Sequence, residues 1–264
     1  MNFFKHYQKK STILLIALSS TFASFYAHAT IVQFETSFGN FEVNLYDNAT
    51  PATVSNFLQY IDDQAYSNSV IHRSVSGFII QGGGFAYDSG LNLNANNLPL
   101  TTIPANAAVT NEPIFSNVRG TIAMAKLGSN ANSATNQWFF NLADNSLNLD
   151  RQNEGFTVFG EVVGNGMIII DQMVDVQTYD FGGAFADIPL QNFTVSNTPD
   201  DSNLLVISSI QVTDMTVNSA AGLNPPLNIG PAPTPDPPST NSGGGTLSLL
   251  IFGLFLINTK RKKS

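Results

Sequence analysis

Polar and apolar positions change period several times along the chain, and each change marks an element. Residues 31–36 are strand-like, Ser37-Phe38-Gly39-Asn40 is a turn, and Phe41, Val43 and Leu45 alternate with Glu42 and Asn44. That pattern predicts a hairpin with one buried face. The period then becomes helical: Val54, Phe57, Leu58 and Ile61 form one stripe, with Thr50 placed as N-cap and Pro51 at the first helical position. Further strands are expected at residues 70–80, 120–125, 137–142, 156–163 and 204–212, and a short second helix at 167–173. Residues 88–108 are polar and Asn-rich, and residues 178–202 hold the loop-like runs Tyr179-Asp-Phe-Gly-Gly-Ala and Asn197-Thr-Pro-Asp-Asp-Ser. Many strands, frequent turns and two helices predict a β-dominated fold, a closed antiparallel barrel capped by helices.

The ends read differently from the body. Residues 1–29 have the pattern of a secretory signal peptide: Lys5, Lys9 and Lys10, an uncharged apolar stretch over 12–25, and Ala27-His28-Ala29 as a small-x-small cleavage site. The apolar stretch falls short of the roughly 20 residues a spanning helix needs. The folded unit is expected at residues 30–217. Residues 218–242, with Pro225-Pro226 and the prolines from Pro231 to Pro238, read as an extended semi-rigid stalk. Residues 243–264 place Gly243-Gly244-Gly245 before an apolar run and close on Lys260-Arg261-Lys262-Lys263. This end resembles the glycine-glycine C-terminal sorting signal of Gram-negative bacteria. The resemblance implies removal by a rhomboid-type sorting protease and display at, or release from, the cell surface. The alternative is a plain C-terminal membrane anchor. Either way the expected location is the exported, Gram-negative envelope compartment.

Composition narrows the chemistry. The 264-residue chain has no cysteine, so an exported form relies on its core rather than on disulfides. It carries 11 basic against 19 acidic residues. Between the two ends the basic residues are only Arg73, Arg119, Lys126 and Arg151. Such a surface repels nucleic acid and anionic membrane, so membrane contact is expected only through the C-terminal segment.

Against that background the run 71–85, Ile-His-Arg-Ser-Val-Ser-Gly-Phe-Ile-Ile-Gln-Gly-Gly-Gly-Phe, stands out. It sets a cation, Arg73, ahead of an apolar run that ends in an amide, Gln81, and three glycines. His72 is the only histidine after residue 29, so an ordinary zinc site is excluded and no metal is expected. A Ser-His-Asp triad would need His72, whose basicity the adjacent Arg73 suppresses; on a strand the two point to opposite faces. Gly82-Gly83-Gly84 is followed by no lysine and is not a phosphate loop.

The run resembles the signature of cyclophilin-type peptidyl-prolyl isomerases, with its His-Arg, glycine-aromatic pair and Gln-Gly-Gly. Gly120-Thr-Ile-Ala-Met-Ala125 with Ser133-Ala-Thr-Asn-Gln137-Trp-Phe139-Phe-Asn-Leu-Ala-Asp144 resembles a second signature of that family, and Phe156-Thr-Val-Phe159-Gly160-Glu-Val-Val a third. The early helix and the Asn111-Glu112 and Arg119-Gly120 steps are also similar, and the bacterial periplasmic branch is the nearest in pattern. The resemblance implies a closed eight-stranded antiparallel barrel with an α-helix at each end and a groove on its outside. It implies Arg73 as the main catalytic residue, with Phe78, Gln81 and Phe139 beside it. It places Phe78, Ile79, Phe139 and Leu149 in a proline pocket, Gln81 on the substrate backbone, Ala125, Lys126 and Gln137 along the neighbouring groove, and Phe156 over the proline ring. It implies no cofactor, and Pro-containing segments of unfolded or exported proteins as partners of a monomer. Strand alternation by itself puts Ile79 and Gln81 on one face and Phe78 on the other; a bend at Ser76-Gly77 would reconcile Phe78 with the pocket.

The sequence also departs from the family pattern. Ile79 stands where methionine is common, Ile71 and Trp138 where phenylalanine is, and Asn148 where many members carry an aromatic. Three readings follow: a prolyl isomerase, an envelope binding module that captures Pro-containing segments with little turnover, or an unrelated secreted β-domain such as an adhesin on a stalk, for which the ordered signatures would be coincidence. Arg73 favours the first, because a pure binder has no need of it. With arginine as the working group, activity is expected to be nearly flat from about pH 6 to about 9.

Overall fold

The computed structural model describes residues 30–88, 97–215 and 223–230. The signal-peptide, C-terminal and most of the stalk assignments therefore lie outside the described residues.

The chain opens with β1 (Ile31–Thr36) and β2 (Gly39–Leu45), paired from Ile31↔Asn44 to Thr36↔Gly39. Helix α1 follows (Pro51–Asp62) and buries Thr53, Val54, Phe57, Tyr60 and Ile61. Next come β3 (Ser69–Val70), β4 (Arg73–Val75), β5 (Ile79–Gly82), β6 (Phe85–Tyr87) and β7 (Leu100–Thr102). Strands β8 (Thr121–Met124) and β9 (Trp138–Asn141) precede the single-turn α2 (Ser146–Leu149). The fold finishes with β10 (Val158–Val163), α3 (Gly166–Val174), β11 (Thr178–Tyr179), β12 (Ile188–Pro189) and β13 (Val206–Asp214).

Eleven strands form one sheet in the order β4-β5-β9-β8-β10-β2-β1-β13-β3-β6-β7, curled into a half-barrel. This corrects the expected closed eight-stranded barrel. The reason is local. The run 69–87 is interrupted at Ile71-His72, at the turn before Ile79, and at Gly83-Gly84, so it yields four short strands. Strands β3 and β6 pair with each other and, through β13, with one end of the ladder, whereas β4 and β5 pair with each other and, through β9, with the opposite end. A second correction is the helix count: α2 is too short for helical periodicity to show.

The cap of α1 also differs in detail. Thr50 occupies the N-cap, but its hydroxyl donates back to the Tyr46 carbonyl at 3.3 Å. The first-turn amides of Ala52 and Thr53 instead donate to the Glu112 carboxylate at 3.2 and 2.9 Å, and the Thr53 hydroxyl adds a third bond at 2.8 Å. A carboxylate there satisfies orphan N–H groups and complements the helix dipole.

Two faces of the sheet carry two clusters. The main core is aromatic: Phe34 stacks on Phe41 at 4.9 Å and meets the edge of Trp138 at 5.3 Å, with Phe57, Phe140 and Phe159 in the same cluster. A second face gathers Tyr46, Ile79, Ala123, Phe139, Leu149 and Val158. Residues 178–202, read as loop, supply a third cluster instead: Phe185, Ile188 and Leu190 pack with Val70, Leu98, Leu100 and Leu204.

Residues 223–230, assigned from composition to an extended stalk, lie against the body. Ser116 N–H donates to Pro226 O at 2.8 Å, Asn228 N–H to Ile114 O at 2.9 Å, and Leu227 bridges Phe115. The folded unit thus reaches beyond residue 217.

Candidate active site

Strand alternation separates the site from the core. In the β5–β9 ladder Ile80 faces Phe140 and Gly82 faces Trp138, all toward the interior; Gln81 faces Phe139 on the outer side. Strand β8 adds Ala123 opposite Phe139, and β10 adds Val158 opposite Ala123. These residues make an apolar floor with Ile79 and Leu149, and the partly buried Phe78, Ala125 and Phe156 stand around it. The Phe156 ring meets Phe139 edge-on at 5.9 Å. Ala123, Val158 and Tyr46 belong to this floor and were missed in the sequence; Ala123 and Val158 lie two positions before Ala125 and after Phe156, so strand alternation could have found them.

Phe78 reaches the cluster through a turn. Gly77 has a φ of +70°, and Phe78 N–H donates to Val75 O at 2.9 Å. Phe78 thus lies in the turn before β5, and strict alternation does not apply to it.

A polar strip runs beside the apolar floor. Arg73 on β4 is the ladder partner of Gln81 on β5, so both side chains leave the same face. Gln81 Nε2 donates to Gln137 Oε1 at 2.8 Å. Gln137 lies against the glycine run: a Cβ on Gly84 would sit 2.8 Å from Gln137 Cδ, and one on Gly83, at φ +78°, would sit 2.5 Å from Asn136 O. The glycines therefore let strand β9 and the Gln137 amide approach the backbone closely.

Arg73 is 19 % exposed, and its Nε lies 3.5 Å from Asp187 Oδ2. Burial lowers its pKa, and the Asp187 charge opposes that shift. Its neighbour His72 is buried on the other face, with its ring 5.0 Å from Phe85. Burial first, and then the Arg73 charge, lower the His72 pKa to about 4, so the imidazole is neutral at physiological pH.

Lys126 sits at the site differently from its expected place along the groove. It is only 7 % exposed, and its ammonium donates to Asn153 O at 2.8 Å and Gly155 O at 2.5 Å. It also lies 4.8 Å from the centre of the Phe156 ring. Burial lowers its pKa to about 8. Its contacts brace the loop that carries Phe156. The structure thus gathers Ile79, Phe139, Leu149, Phe78, Ala125 and Phe156 in one cluster, sets Arg73, Gln81 and Gln137 along its border, and joins Lys126 through Phe156.

Chemically, the arrangement sets a guanidinium and two amides at the rim of an apolar floor. It offers hydrogen-bond donors and a positive charge to a polar group whose apolar neighbour is held on the floor.

Comparisons with known proteins identify the family. Residues 31–199 match the family model described as cyclophilin type peptidyl-prolyl cis-trans isomerase/CLD. The chain is 38 % identical over 160 residues to a peptidyl-prolyl cis-trans isomerase of Acinetobacter baylyi, covering 59 % of this chain and 79 % of that protein. It is 35 % identical over 188 residues to peptidyl-prolyl cis-trans isomerase A of Dickeya dadantii, covering 71 % of this chain and 92 % of the relative. Among solved structures, a cyclophilin-type isomerase of Cryptosporidium parvum shares the fold with a TM-score of 0.50 at 19 % identity, covering 71 % of this chain and 99 % of that one. With the family model spanning most of the chain, and with its three signatures lying on β4–β5, β8–β9 and β10 around one cluster, this chain belongs to the cyclophilin-type peptidyl-prolyl cis-trans isomerases.

Proposed function

We propose that the protein isomerises X-Pro bonds in unfolded or newly exported proteins, in the envelope of a Gram-negative cell, with Arg73 as the catalytic donor. The observation that carries the mechanism is the Arg73↔Gln81 ladder pair beside the Ile79–Phe139 floor. Rotation about an X-Pro amide meets a barrier of about 18–20 kcal/mol, set by C–N double-bond character. Uncatalysed exchange takes on the order of tens of seconds. As the bond twists, the proline nitrogen becomes pyramidal and gains a lone pair. A guanidinium that donates to this nitrogen stabilises the twisted amide more than the planar one.

The other residues confine the motion. Ile79, Phe139 and Leu149 take the proline ring, Phe78 and Phe156 flank it, and Gln81 anchors the neighbouring backbone, so rotation is restricted to one bond. Gln137 and Ala125 border the preceding residue, and Lys126 keeps the Phe156 loop in place. No proton is transferred and no covalent intermediate forms. The proposed location rests on the leader-like residues 1–29 and the tripartite C-terminal segment, and the proposed partners are Pro-containing segments met there by a monomer.

The test is cis/trans exchange of a Pro-containing peptide, measured with the full chain and with Arg73→Ala. Loss of about 10²-fold or more in kcat/KM is expected, in line with removing one transition-state donor. Equal rates for the two chains would sink the mechanism. For the location, the intact mass of the protein recovered from cells shows whether residues 1–29 and 247–264 have been removed.

A further inference from the structure

The segment that carries no family signature supplies a contact to the catalytic arginine. Residues 178–190 form a small ribbon in which β11 pairs with β12, Thr178↔Pro189 and Tyr179↔Ile188. The ribbon is held by side chains in its own cluster: Phe185 and Ile188 are both buried there, and the Phe185 ring lies 4.6 Å from Phe85. Asp187 sits between those two anchors.

From that position Asp187 reaches β4 twice. β4 is the edge strand of the sheet, and its Ser74 N–H donates to the Asp187 carbonyl at 2.8 Å. The Asp187 carboxylate meets Nε of Arg73 at 3.5 Å. Backbone and side chain of one residue therefore address two consecutive residues of β4. A contact at Nε is made on the stem side of the guanidinium, so it constrains the plane of the group.

The pair is loose compared with another in the same chain. Arg119 Nη2 meets both oxygens of Asp171, at 2.9 and 2.7 Å. Such close contacts are typical of strong charge-assisted bonds. The Asp187 contact is longer, and its side chain is 44 % exposed. A pair this open adds little to stability. Its effect falls on orientation: Asp187 holds Arg73 from the stem side, at Nε.

The geometry points to Asp187 as a positioning residue for Arg73, delivered by the 178–190 ribbon. This inference rests on Arg73 being the catalytic donor. In this role Asp187 acts through the arginine and touches no reacting atom.

A double-mutant cycle on the full chain tests it, using Asp187→Asn, which keeps shape and removes charge, with Arg73→Ala and the double variant. Asp187→Asn is expected to lower kcat/KM by about 3–10-fold with an unchanged urea midpoint, and to have no further effect once Arg73 is alanine. The Arg73 Nε–H resonance is expected to move upfield and to exchange faster with solvent in Asp187→Asn, a readout that a purely structural role would not move. The inference is overturned if Asp187→Asn stays within twofold of the parent, if activity rises, or if the loss persists in the Arg73→Ala background. If Arg73→Ala leaves too little activity for a cycle, an unmoved Nε–H resonance overturns it equally. If Arg73→Ala itself retains full activity, the catalytic reading of Arg73 has failed first, a result distinct from failure of Asp187 alone.

Discussion

Arg73 and Gln81 face each other across the β4–β5 ladder, and the Gln81 amide is in turn fixed to Gln137 at 2.8 Å. The donor proposed for the proline nitrogen and the anchor proposed for the substrate backbone are therefore set by one strand register. A Gln81→Leu substitution keeps the volume and removes the anchor. It is expected to lower kcat/KM by about 3–10-fold, the worth of one net hydrogen bond, mainly through KM. Peptide titration followed by exchange NMR separates the two parameters, and a fall in kcat alone would assign Gln81 a different role.

Lys126 breaks the flat pH profile expected from arginine alone. With its pKa lowered to about 8, it loses its proton inside the assay window. Its grip on the Asn153 and Gly155 carbonyls and on the Phe156 face then weakens. A several-fold fall in kcat/KM is expected above about pH 8, and Lys126→Met is expected to remove the inflection. Stability moves the other way. The folded pKa lies below the usual lysine value of 10.5, so the unfolded chain binds more protons between about 8 and 10.5 and stability rises across that interval. An activity profile that stays flat through pH 9 would refute this assignment.

His72 predicts acid sensitivity. Its pKa is about 4 in the fold against the usual histidine value of 6.5. Below 6.5 the unfolded chain takes up a proton that the buried ring refuses, so stability falls as pH drops from about 6.5 to about 4. The full loss is about 3 kcal/mol, from roughly 2.5 pKa units at 1.36 kcal/mol each. Urea midpoints across this range measure it, and an NMR titration of the imidazole assigns it. A His72 ring that titrates near 6.5 in the folded protein would contradict the burial argument.

Glu112 caps α1 from 59 residues away. Glu112→Ala removes all three bonds to the first turn, and about 1–2 kcal/mol of stability is expected to go with them. Thermal or urea unfolding reads this directly. Glu112→Gln is expected to recover part of it, since the amide oxygen still accepts one bond.

Residues 223–230 are expected to stabilise the domain. A chain ending at residue 217 loses the bonds that join Ser116 and Ile114 to Pro226 and Asn228, and also the Ser116 hydroxyl contact to Leu227 O at 3.1 Å. At about 0.5–1.5 kcal/mol for each of these three bonds, the chain ending at 230 is expected to be more stable by about 1.5–4.5 kcal/mol. Identical urea midpoints would show that this docking contributes nothing.

Local patterning was enough to read much of the fold. Alternation marked β2 and a helical stripe α1, short strand-like and helix-like runs located β1, β8, β9, β10, β13 and α3, and the ordered signatures marked Arg73, Gln81 and Phe139 before any contact was known. These are properties of neighbouring residues: a period of two or 3.6 says which side chains share a face, and a glycine or proline says where a strand must stop. Tertiary structure decided the rest. It broke the run 69–87 into four strands and so left the sheet an eleven-stranded half-barrel with two ends. It turned Lys126 onto backbone carbonyls, brought Glu112 to α1, folded residues 223–230 onto the body, and set Asp187 beside Arg73. Each of these joins residues far apart along the chain, and periodicity carries no record of which distant partner a side chain will meet.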